Sequence, residues 1–482
     1  MPDIDIDIEA RARAGLLGVP RLLGVVMAVV TPLTVAVAVI PAGYAQVGST
    51  ALAATFVVVT VVMAAFLPGY LAMGRTIGHP GGFYAFAAAG WSPAAGAAAG
   101  AVALLSYASL LAGLYGVIGS AAAPLLEPAG IHAHWAVLAV VMLAVVTALS
   151  AWRITVPTTV VLVLLILDLA WVGLTYAVLL AAPAPGVDVA AVVAALVPDD
   201  PWALVPPAPL AFLAWVGIET VMTYRSSVRG QDTIGRATRL AVPALGAVYL
   251  AAAVSPLVAV GPGGIVQAAR DHGDGLVFVL VAERLPDGLA QAWVFVGHVL
   301  FAGGVVAAML AFTLPVTATI SNLSADRLLP RALGLRSQST GAPVRACAAL
   351  AAGTAAVITA AAALDWRPVE HLFLGGGAVG ALGVLLLLTT TSVLVVTHLR
   401  RSSAPGTRIA LAITAAVALL GLSTVSLAGF DQLLAPSTMF LWWAAPAAFV
   451  AAAAAGAARA WWLRRRDPQV YDAIGTLDKA GR

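Results

Sequence analysis

Two carboxylates stand inside apolar runs of this sequence, where a charged side chain is costly. Glu219 follows the stretch AFLAWVGI, and Asp168 lies within VLVLLILDLAWVG. A charged carboxylate at the centre of a membrane-spanning helix costs about 2.5–3.5 kcal/mol on insertion scales. The neutral form is therefore accessible near physiological pH, and we expect Glu219 first, and Asp168 second, to take up and release protons.

Each carboxylate also has a structural alternative. Glu219 would then be a neutral, hydrogen-bonded acid that holds its helix to a neighbour. Asp168 would then be solvated near a helix end, or would pair with the first or the eighth helix. Nothing in the sequence names its partner, so these alternatives stay open at this point.

No sequence motif of a soluble enzyme accompanies these acids. The chain contains no Walker loop, no GxSxG motif and no HExxH motif. Its one cysteine, Cys347, lies in an apolar run, can form no disulfide within the chain and has no Cys/His cluster beside it. We therefore predict that the protein is not an enzyme and needs neither a cofactor nor a metal.

The composition excludes an ordinary soluble domain. Hydrophobic residues make up 61% of the chain and charged residues 10%, against roughly 25% charged in a typical globular protein. The expected solvent is therefore a lipid bilayer. Because one span needs about 20 apolar residues, the 482 residues have room for about twelve spans and for no separate soluble domain.

Apolar runs between helix breakers predict where these spans lie. The predicted helices cover residues 22–47, 51–73, 83–123, 134–151, 156–181, 208–225, 240–261, 291–323, 344–364, 370–398, 408–428 and 438–463. The run over 83–123 is long for one span, and we expect it to begin as a loop and to enter the membrane near Pro93.

The distribution of Lys and Arg predicts the orientation. If the N-terminus lies in the cytoplasm, 22 of the 25 Lys and Arg fall inside, and only Arg270, Arg284 and Arg367 fall outside. We predict a multi-pass protein of the cytoplasmic (inner) membrane with both termini in the cytoplasm. The formal net charge of +3 then faces the cytoplasmic leaflet and does not indicate nucleic acid as a partner.

Two predicted spans contain helix breakers. Pro32 lies midway along the first span between Thr31 and Thr34, and Gly217 lies in the sixth span, shortly before Glu219. We expect the first helix to be unwound near residues 31–34 and the sixth near residues 214–217. Backbone groups freed at membrane depth persist only when they are buried in protein or face a cavity. Broken first and sixth helices indicate an inverted-repeat transporter with a site at mid-membrane depth. The alternative is a proline kink and a packing glycine.

Four stretches resemble permeases of the amino acid–polyamine–organocation superfamily, over roughly residues 20–400. VVTPLTVAVAVIPAG resembles the first helix of one bacterial branch, and GHPGGFYAFAAAG resembles the entry to its third helix. FLAWVGIETVMTYRSSVRGQDTIGRATRLAV resembles its sixth helix and the loop that follows. LSADRLLPRALG resembles the loop after its eighth helix.

The resemblance implies an all-α fold of about twelve transmembrane helices, with the LeuT-like five-plus-five inverted repeat and with helices one and six broken. The expected organisation is a cytoplasmic tail (1–21), a first five-helix repeat (22–181), a second repeat (208–398), helices eleven and twelve (408–463) and a cytoplasmic tail (464–482). Ser226 and Ser227 stand where the branch usually has two acids, and Ile234-Gly235-Arg236-Ala237 replaces Ile-Pro-Arg-Ala.

The resemblance also implies a substrate site at the two breaks. Amide groups at the helix-one break would bind a carboxylate, and carbonyl groups at the helix-six break would bind an ammonium group. Thr313 and Thr317 are not adjacent, as the hydroxyls of a sodium site in this fold usually are, so sodium is disfavoured. The predicted substrate-binding residues are Thr31, Pro32, Leu33, Thr34, Tyr107, Phe212, Ala214, Trp215 and Gly217, with Glu219 and Asp168 for proton coupling.

These features predict a secondary active transporter of an amino acid or related amine, either proton-coupled or an exchanger. Its expected partners are a small amino-acid-like solute, protons and the lipid bilayer, and the sequence does not indicate an oligomeric state. One alternative is an exporter of a specialised metabolite, which the missing acidic pair suggests. Another is a sensor on the same fold that binds ligand without transporting it.

Overall fold

The structure, a computed structural model, is built of helices and has no β-strand among the residues that it describes. These residues are 17–476 apart from 78, 80, 153–157, 188, 199, 229, 338–340 and 435. Ten helices in this part of the chain are long and apolar enough to cross a membrane. The helix Trp135–Ala151, of 17 residues, and a broken segment over residues 208–227 bring the candidate spans to a number compatible with the predicted twelve.

We number the candidate spans α1 to α12 in chain order. Their bounds are α1 Val19–Val47, α2 Leu52–Ile77, α3 Pro93–Leu126, α4 Trp135–Ala151, α5 Thr158–Ala181, α6 residues 208–227, α7 Gln231–Val260, α8 Asp287–Ala325, α9 Val344–Ala363, α10 Pro368–Arg401, α11 Gly406–Ala428 and α12 Leu441–Arg466. The end of the bundle at which α1 begins and α12 ends is called the terminal end here, and the opposite end is called the far end.

The run over residues 83–123 divides near Pro93, as expected, but its first part is a short helix rather than a loop. Phe83–Gly90 forms a short helix of its own, and α3 begins at Pro93. The hydroxyl oxygen of Ser92 accepts a hydrogen bond from the amide of Ala95 at 3.2 Å, which is an N-cap, and proline fits the first turn of a helix. Short helices in the connections were missed because fewer than ten residues show no clear period; they are Val189–Leu196, Ile265–His272 and Leu276–Ala282.

The core of the bundle is built around α3, which packs against α8, α10 and α12. Glycine makes close packing possible, because a Cβ atom at Gly116 would lie 2.4 Å from the carbonyl oxygen of Pro368. The outer helices instead expose apolar side chains: Val137 of α4 is 57% exposed, Val417 of α11 is 65% exposed and Val450 of α12 is 70% exposed. Such a surface is stable only against lipid.

The two residues that follow α8, Asp326 and Arg327, bind residues beyond α12 and also Tyr84 of the short helix before α3. Arg327 and Asp467 form an ion pair at 2.5 Å, and the hydroxyl of Tyr84 donates a hydrogen bond to Asp326. The amide of Gly475 also donates to Asp326, at 3.3 Å. Most of the predicted tail over 1–21, and residues 477–482 of the predicted tail over 464–482, lie outside the described residues.

Candidate functional site

The break in α1 is a single residue. Thr31 has φ 51° and ψ 67°, in the left-handed region, between the helix Val19–Val30 and the helix Pro32–Thr34. The sequence predicted an unwound stretch over 31–34, which is too long. Pro32 restarts the helix at once because the first position of a helix needs no N–H group. A β-branched residue such as Thr31 adopts this conformation only under constraint from its surroundings.

The break in α6 covers the four residues that the sequence predicted. Helix Ala208–Leu213 ends before a turn over 214–217, and a 3-10 helix continues over Ile218–Ser227. Gly217 has φ 114°, and a Cβ atom there would lie 2.8 Å from Cγ1 of Val29. The break in α6 therefore approaches α1 just before the break in α1. The hydroxyl of Tyr249, on α7, donates to the carbonyl of Ala214 at 2.7 Å and holds the turn from the other side.

Glu219 ties the break in α6 to α3. Its Oε1 atom accepts a hydrogen bond from the hydroxyl of Tyr107 at 2.9 Å, and its Oε2 atom accepts one from the amide of Gly217 at 2.9 Å. The residue is only 2% exposed. This is the arrangement that the structural alternative requires, and it also couples a titratable group to the backbone of the break.

A small apolar cavity lies at the two breaks, and we call it the break cavity. Its volume is about 50 Å³, and it is formed by α1, α3, α6, α8 and α10. Among the described residues that line it, Thr31 and Thr34 contribute the only hydroxyl groups. The other lining residues are Val29, Val30, Val35, Val39, Leu110, Leu114, Leu213, Val216, Phe312, Phe373 and Gly377.

A second cavity, the Glu219 cavity, contains the carboxylate. It measures about 40 Å³, and its lining includes Tyr70, Tyr107, Glu219 and Asn322. The rings of Tyr107 and Phe312 are 6.4 Å apart. Since Tyr107 lines the Glu219 cavity and Phe312 lines the break cavity, this aromatic pair lies between the two.

A wider vestibule of about 440 Å³ is at the far end of the bundle. Its lining includes the charged residues Arg270, Asp274 and Glu370. Ala38 and Leu374 line the vestibule. Their direct neighbours in the sequence, Val39 and Phe373, line the break cavity. The vestibule and the break cavity thus share α1 and α10, and the break cavity and the Glu219 cavity share α3, α6 and α8.

Several predicted substrate-binding residues do not line these cavities. Trp215 instead packs edge-on against Tyr249, with ring centroids 5.6 Å apart. A helical wheel drawn through 214–217 cannot give the direction of these side chains, because the turn there is not helical. The predicted residues outside the lining of all three are Pro32, Leu33, Phe212, Ala214, Trp215 and Gly217, and their roles in binding stay predictions.

Asp168 lies against α8, one of the two partners that the sequence left open. A Cβ atom at Gly304 would lie 3.2 Å from Oδ2 of Asp168, so this glycine makes room for the carboxylate. Asp168 is 7% exposed, and among the described residues its Oδ1 atom has no hydrogen-bond partner. Helix α5 also packs against Pro32–Thr34. Asp168 is therefore a buried acid beside α8 rather than a solvated residue at a helix end.

Sequence reasoning missed residues that reach the site from other helices. The hydroxyl of Tyr70, on α2, donates to the carbonyl oxygen of Glu219 at 3.2 Å. The hydroxyl of Thr220 donates to the carbonyl of Gly217 at 2.6 Å. Thr220 could have been predicted from the sequence, because its hydroxyl group is next to Glu219. Tyr70 and Phe312 carried no such signal, since each stands in an ordinary apolar helix.

A bundle of membrane spans whose first and sixth helices are broken beside a buried cavity is the architecture of an inverted-repeat membrane transporter. The family model described as amino acid permease matches residues 17–453. The chain belongs to this family, which is part of the amino acid–polyamine–organocation superfamily, and the resemblance seen in the sequence is confirmed. The family is one of transporters rather than enzymes, and its LeuT-like fold fits this bundle. No curated protein matches the chain.

Proposed function

We propose that the protein is a secondary active transporter of a small amino acid or related amine with an apolar side chain, coupled to protons through Glu219. The observation that carries the proposal is the break cavity, because the ends of the broken helices and an apolar wall meet there. Three parts of this proposal go beyond the family assignment: the apolar class of the substrate side chain, the proton as the coupling ion, and the orientation of the protein in the membrane.

The helix ends at the break cavity suit the two charged groups of an amino acid. The first amides of the segment that begins at Pro32 point towards Thr31 and carry positive partial charge, which suits a carboxylate. The last carbonyls of Val19–Val30 and the turn over 214–217 suit an ammonium group. Both charges of a zwitterion would thus be compensated by backbone groups.

The lining of the break cavity favours an uncharged side chain on the substrate. Apart from the hydroxyls of Thr31 and Thr34, its described lining is aliphatic, aromatic or glycine. A cationic or acidic side chain would be buried there without a partner, which costs several kcal/mol. An aliphatic side chain would gain roughly 25 cal/mol for each Å² that it removes from water.

Proton coupling would act through the hydrogen bonds of Glu219. The ionised carboxylate accepts from both Tyr107 and Gly217. A protonated carboxyl group has one accepting oxygen fewer and one donor more. Protonation would therefore reverse or break the hydrogen bond with Tyr107 on α3, while the bond from the Gly217 amide at the break in α6 is kept. Asp168 is the second candidate for this role, through its contact with α8.

We expect small neutral aliphatic amino acids to raise the melting temperature of the purified protein. A ligand that binds only the folded state, at 100 times its Kd, adds about 2.7 kcal/mol of stability, which corresponds to several degrees for a protein of this size. The measurement is a thermal-shift screen in detergent across neutral, cationic and acidic amino acids, amines and small acids. If lysine, arginine or glutamate gives the largest shift, the proposed class of side chain is wrong.

Both termini are expected to lie in the cytoplasm, with the protein in the cytoplasmic membrane. Basic residues are concentrated at the terminal end, whereas Arg270, Arg284 and Arg367 belong to the far end. A reporter active only in the cytoplasm, fused after Arg482, should be active, and the same reporter inserted after Gly263 should be silent. The opposite pair of results would invert the proposed topology.

A further inference from the structure

A groove on the outside of the bundle lies apart from the substrate site. It has a volume of about 360 Å³ and is bounded by α2, α7 and α11, with Leu399 of α10. Most of its wall is apolar, for example Ala64, Leu67, Val242 and Leu411. Leu411 is also 43% exposed on the outer surface, so the groove opens towards the surface that the bundle presents to lipid.

Three arginines line one end of this groove. Arg75 is in the last turn of α2, and Arg408 is in the first turn of α11, so both are at the terminal end. Arg239 lies two turns into α7, but its Nε atom donates to the carbonyl of Gly235 at 3.1 Å. Its side chain therefore extends back towards the same end. The groove is thus apolar along its length and cationic at its terminal end.

This positive charge is only partly compensated. Arg75 pairs with Asp232 at 3.2 Å, and the two side chains are 47% and 73% exposed. Such an exposed pair contributes little and exchanges readily with another anion. Among the residues that the structure describes, no carboxylate forms an ion pair with Arg239 or Arg408. The guanidinium groups are therefore accessible to an anion from outside the chain.

The dimensions match an amphiphile. From Ala64 to Arg75 the groove follows α2 for about 16 Å, at a rise of 1.5 Å for each helical residue. An acyl chain would cover the apolar wall, and a phosphate would reach the arginines, which bind phosphate oxygens in a bidentate manner. From the apolar wall, the three arginines and the position at the lipid-facing surface, we infer that this groove binds an anionic phospholipid.

The groove is also next to the end of α6. Arg75 and Gly235 line both the groove and a neighbouring cavity of about 240 Å³ that contains Arg225. The guanidinium group of Arg225 donates to the carbonyl of Gly74 and, at 3.0 Å, to that of Arg75. A bound lipid would thus sit beside the contact that joins the 3-10 segment of α6 to α2.

The test is a lipid titration of the full-length protein in detergent, followed by thermal shift. The probes are a short-chain phosphatidylglycerol, a phosphatidylcholine with the same chains, and inorganic phosphate. Phosphatidylglycerol should raise the melting temperature by about 3 °C or more at saturation, and the other two should not. An equal shift with phosphatidylcholine would overturn the role of charge. An equal shift with phosphate would show that the groove binds free anions, and it would overturn the proposal that the groove binds a phospholipid.

Substitutions locate the effect in the groove. The pair Arg239→Gln and Arg408→Gln should raise the half-saturating concentration of phosphatidylglycerol roughly 30-fold, since each arginine near the membrane surface contributes a factor of about five. The matched control is Arg345→Gln with Arg465→Gln, two exposed arginines at the terminal end that do not line the groove. If the control pair weakens binding as much, the effect is one of general charge and the assignment fails.

A second pair of variants tests the shape of the groove without changing charge. Ala412→Trp places a large side chain in the groove and should abolish the shift caused by phosphatidylglycerol. Val417→Trp, on the exposed face of the same helix, should retain it. If Ala412→Trp folds and keeps the full shift, the acyl chain does not lie where we place it. If Ala412→Trp does not fold, the arginine variants decide alone.

Discussion

Glu219→Gln should abolish accumulation driven by a proton gradient while exchange of substrate continues. With the outside one pH unit below the inside and the membrane potential held at zero, one proton per substrate can drive at most about tenfold accumulation inside, because one pH unit is equivalent to 1.36 kcal/mol. The wild-type protein should approach this ratio, and the variant should stay near a ratio of one. The pH dependence of exchange should also flatten, since the titrating group is gone.

The reason lies in the two hydrogen bonds of Glu219. Gly217 offers an amide donor, so the glutamine oxygen would face it, and the glutamine NH2 group would face Tyr107. The hydroxyl of Tyr107 can rotate and accept that hydrogen bond. Glutamine therefore reproduces the protonated carboxyl group, with the same shape and the same contacts. We expect the variant to fold and to bind substrate.

Asp168→Asn is the matched control, because Asp168 is a second buried acid, and the hydrogen bonds of Tyr107 and Gly217 go to Glu219 instead. It should leave proton-driven accumulation largely intact. If Asp168→Asn abolishes accumulation while Glu219→Gln has no effect, the coupling acid is Asp168 and not Glu219. If neither substitution matters, protons are not coupled through these acids, and the exchanger, exporter and sensor alternatives all become stronger.

Gly217→Ala should have the second large effect. At φ 114° any side chain is strained, and the added Cβ atom would lie 2.8 Å from Cγ1 and 3.6 Å from the carbonyl oxygen of Val29. Left-handed strain alone costs about 1–3 kcal/mol. The two breaks would be pushed apart, so we expect transport to fall by about tenfold or more, with a lower melting temperature. The measurements are uptake and thermal unfolding of the same preparation.

Gly173→Ala is the matched control for this substitution. Gly173 lies inside α5, and a Cβ atom there would meet nothing within 4 Å. Alanine in a helix interior is favoured over glycine by about 0.5–1 kcal/mol, so this variant should be as stable as the wild type or more stable. Wild-type uptake by Gly217→Ala would show that the close approach of α6 to α1 is not needed for transport.

The sequence predicted the spans well because the cost of unpaired backbone in lipid leaves long apolar helices as the solution. It also located both breaks, since Pro32 and Gly217 disturb a helix through their own covalent chemistry. The extent of the α1 break was wrong for a local reason. Whether the helix restarts at Pro32 or later depends on the left-handed conformation of Thr31, which its neighbours impose and its residue type does not indicate.

The contacts of the site were harder to predict than the helices. Glu219 meets Tyr107 although 112 residues separate them, and only the tertiary fold of the bundle brings these two side chains together. The resemblance suggested Tyr107, but neither spacing nor composition did. Trp215 illustrates the opposite case, because the turn at 214–217 directs it towards Tyr249. Asp168 was visible as a buried acid, whereas its neighbour Gly304 was not, since a glycine in an apolar helix has many uses.

The most direct test of the proposed function is uptake into proteoliposomes that contain only the wild-type protein. The substrate is the amino acid that gives the largest thermal shift, and the outside is held one pH unit below the inside. The proposal predicts accumulation of a neutral, apolar amino acid against its gradient, and dissipation of that accumulation by a protonophore. Binding without any uptake, or uptake that ignores the proton gradient, would contradict it.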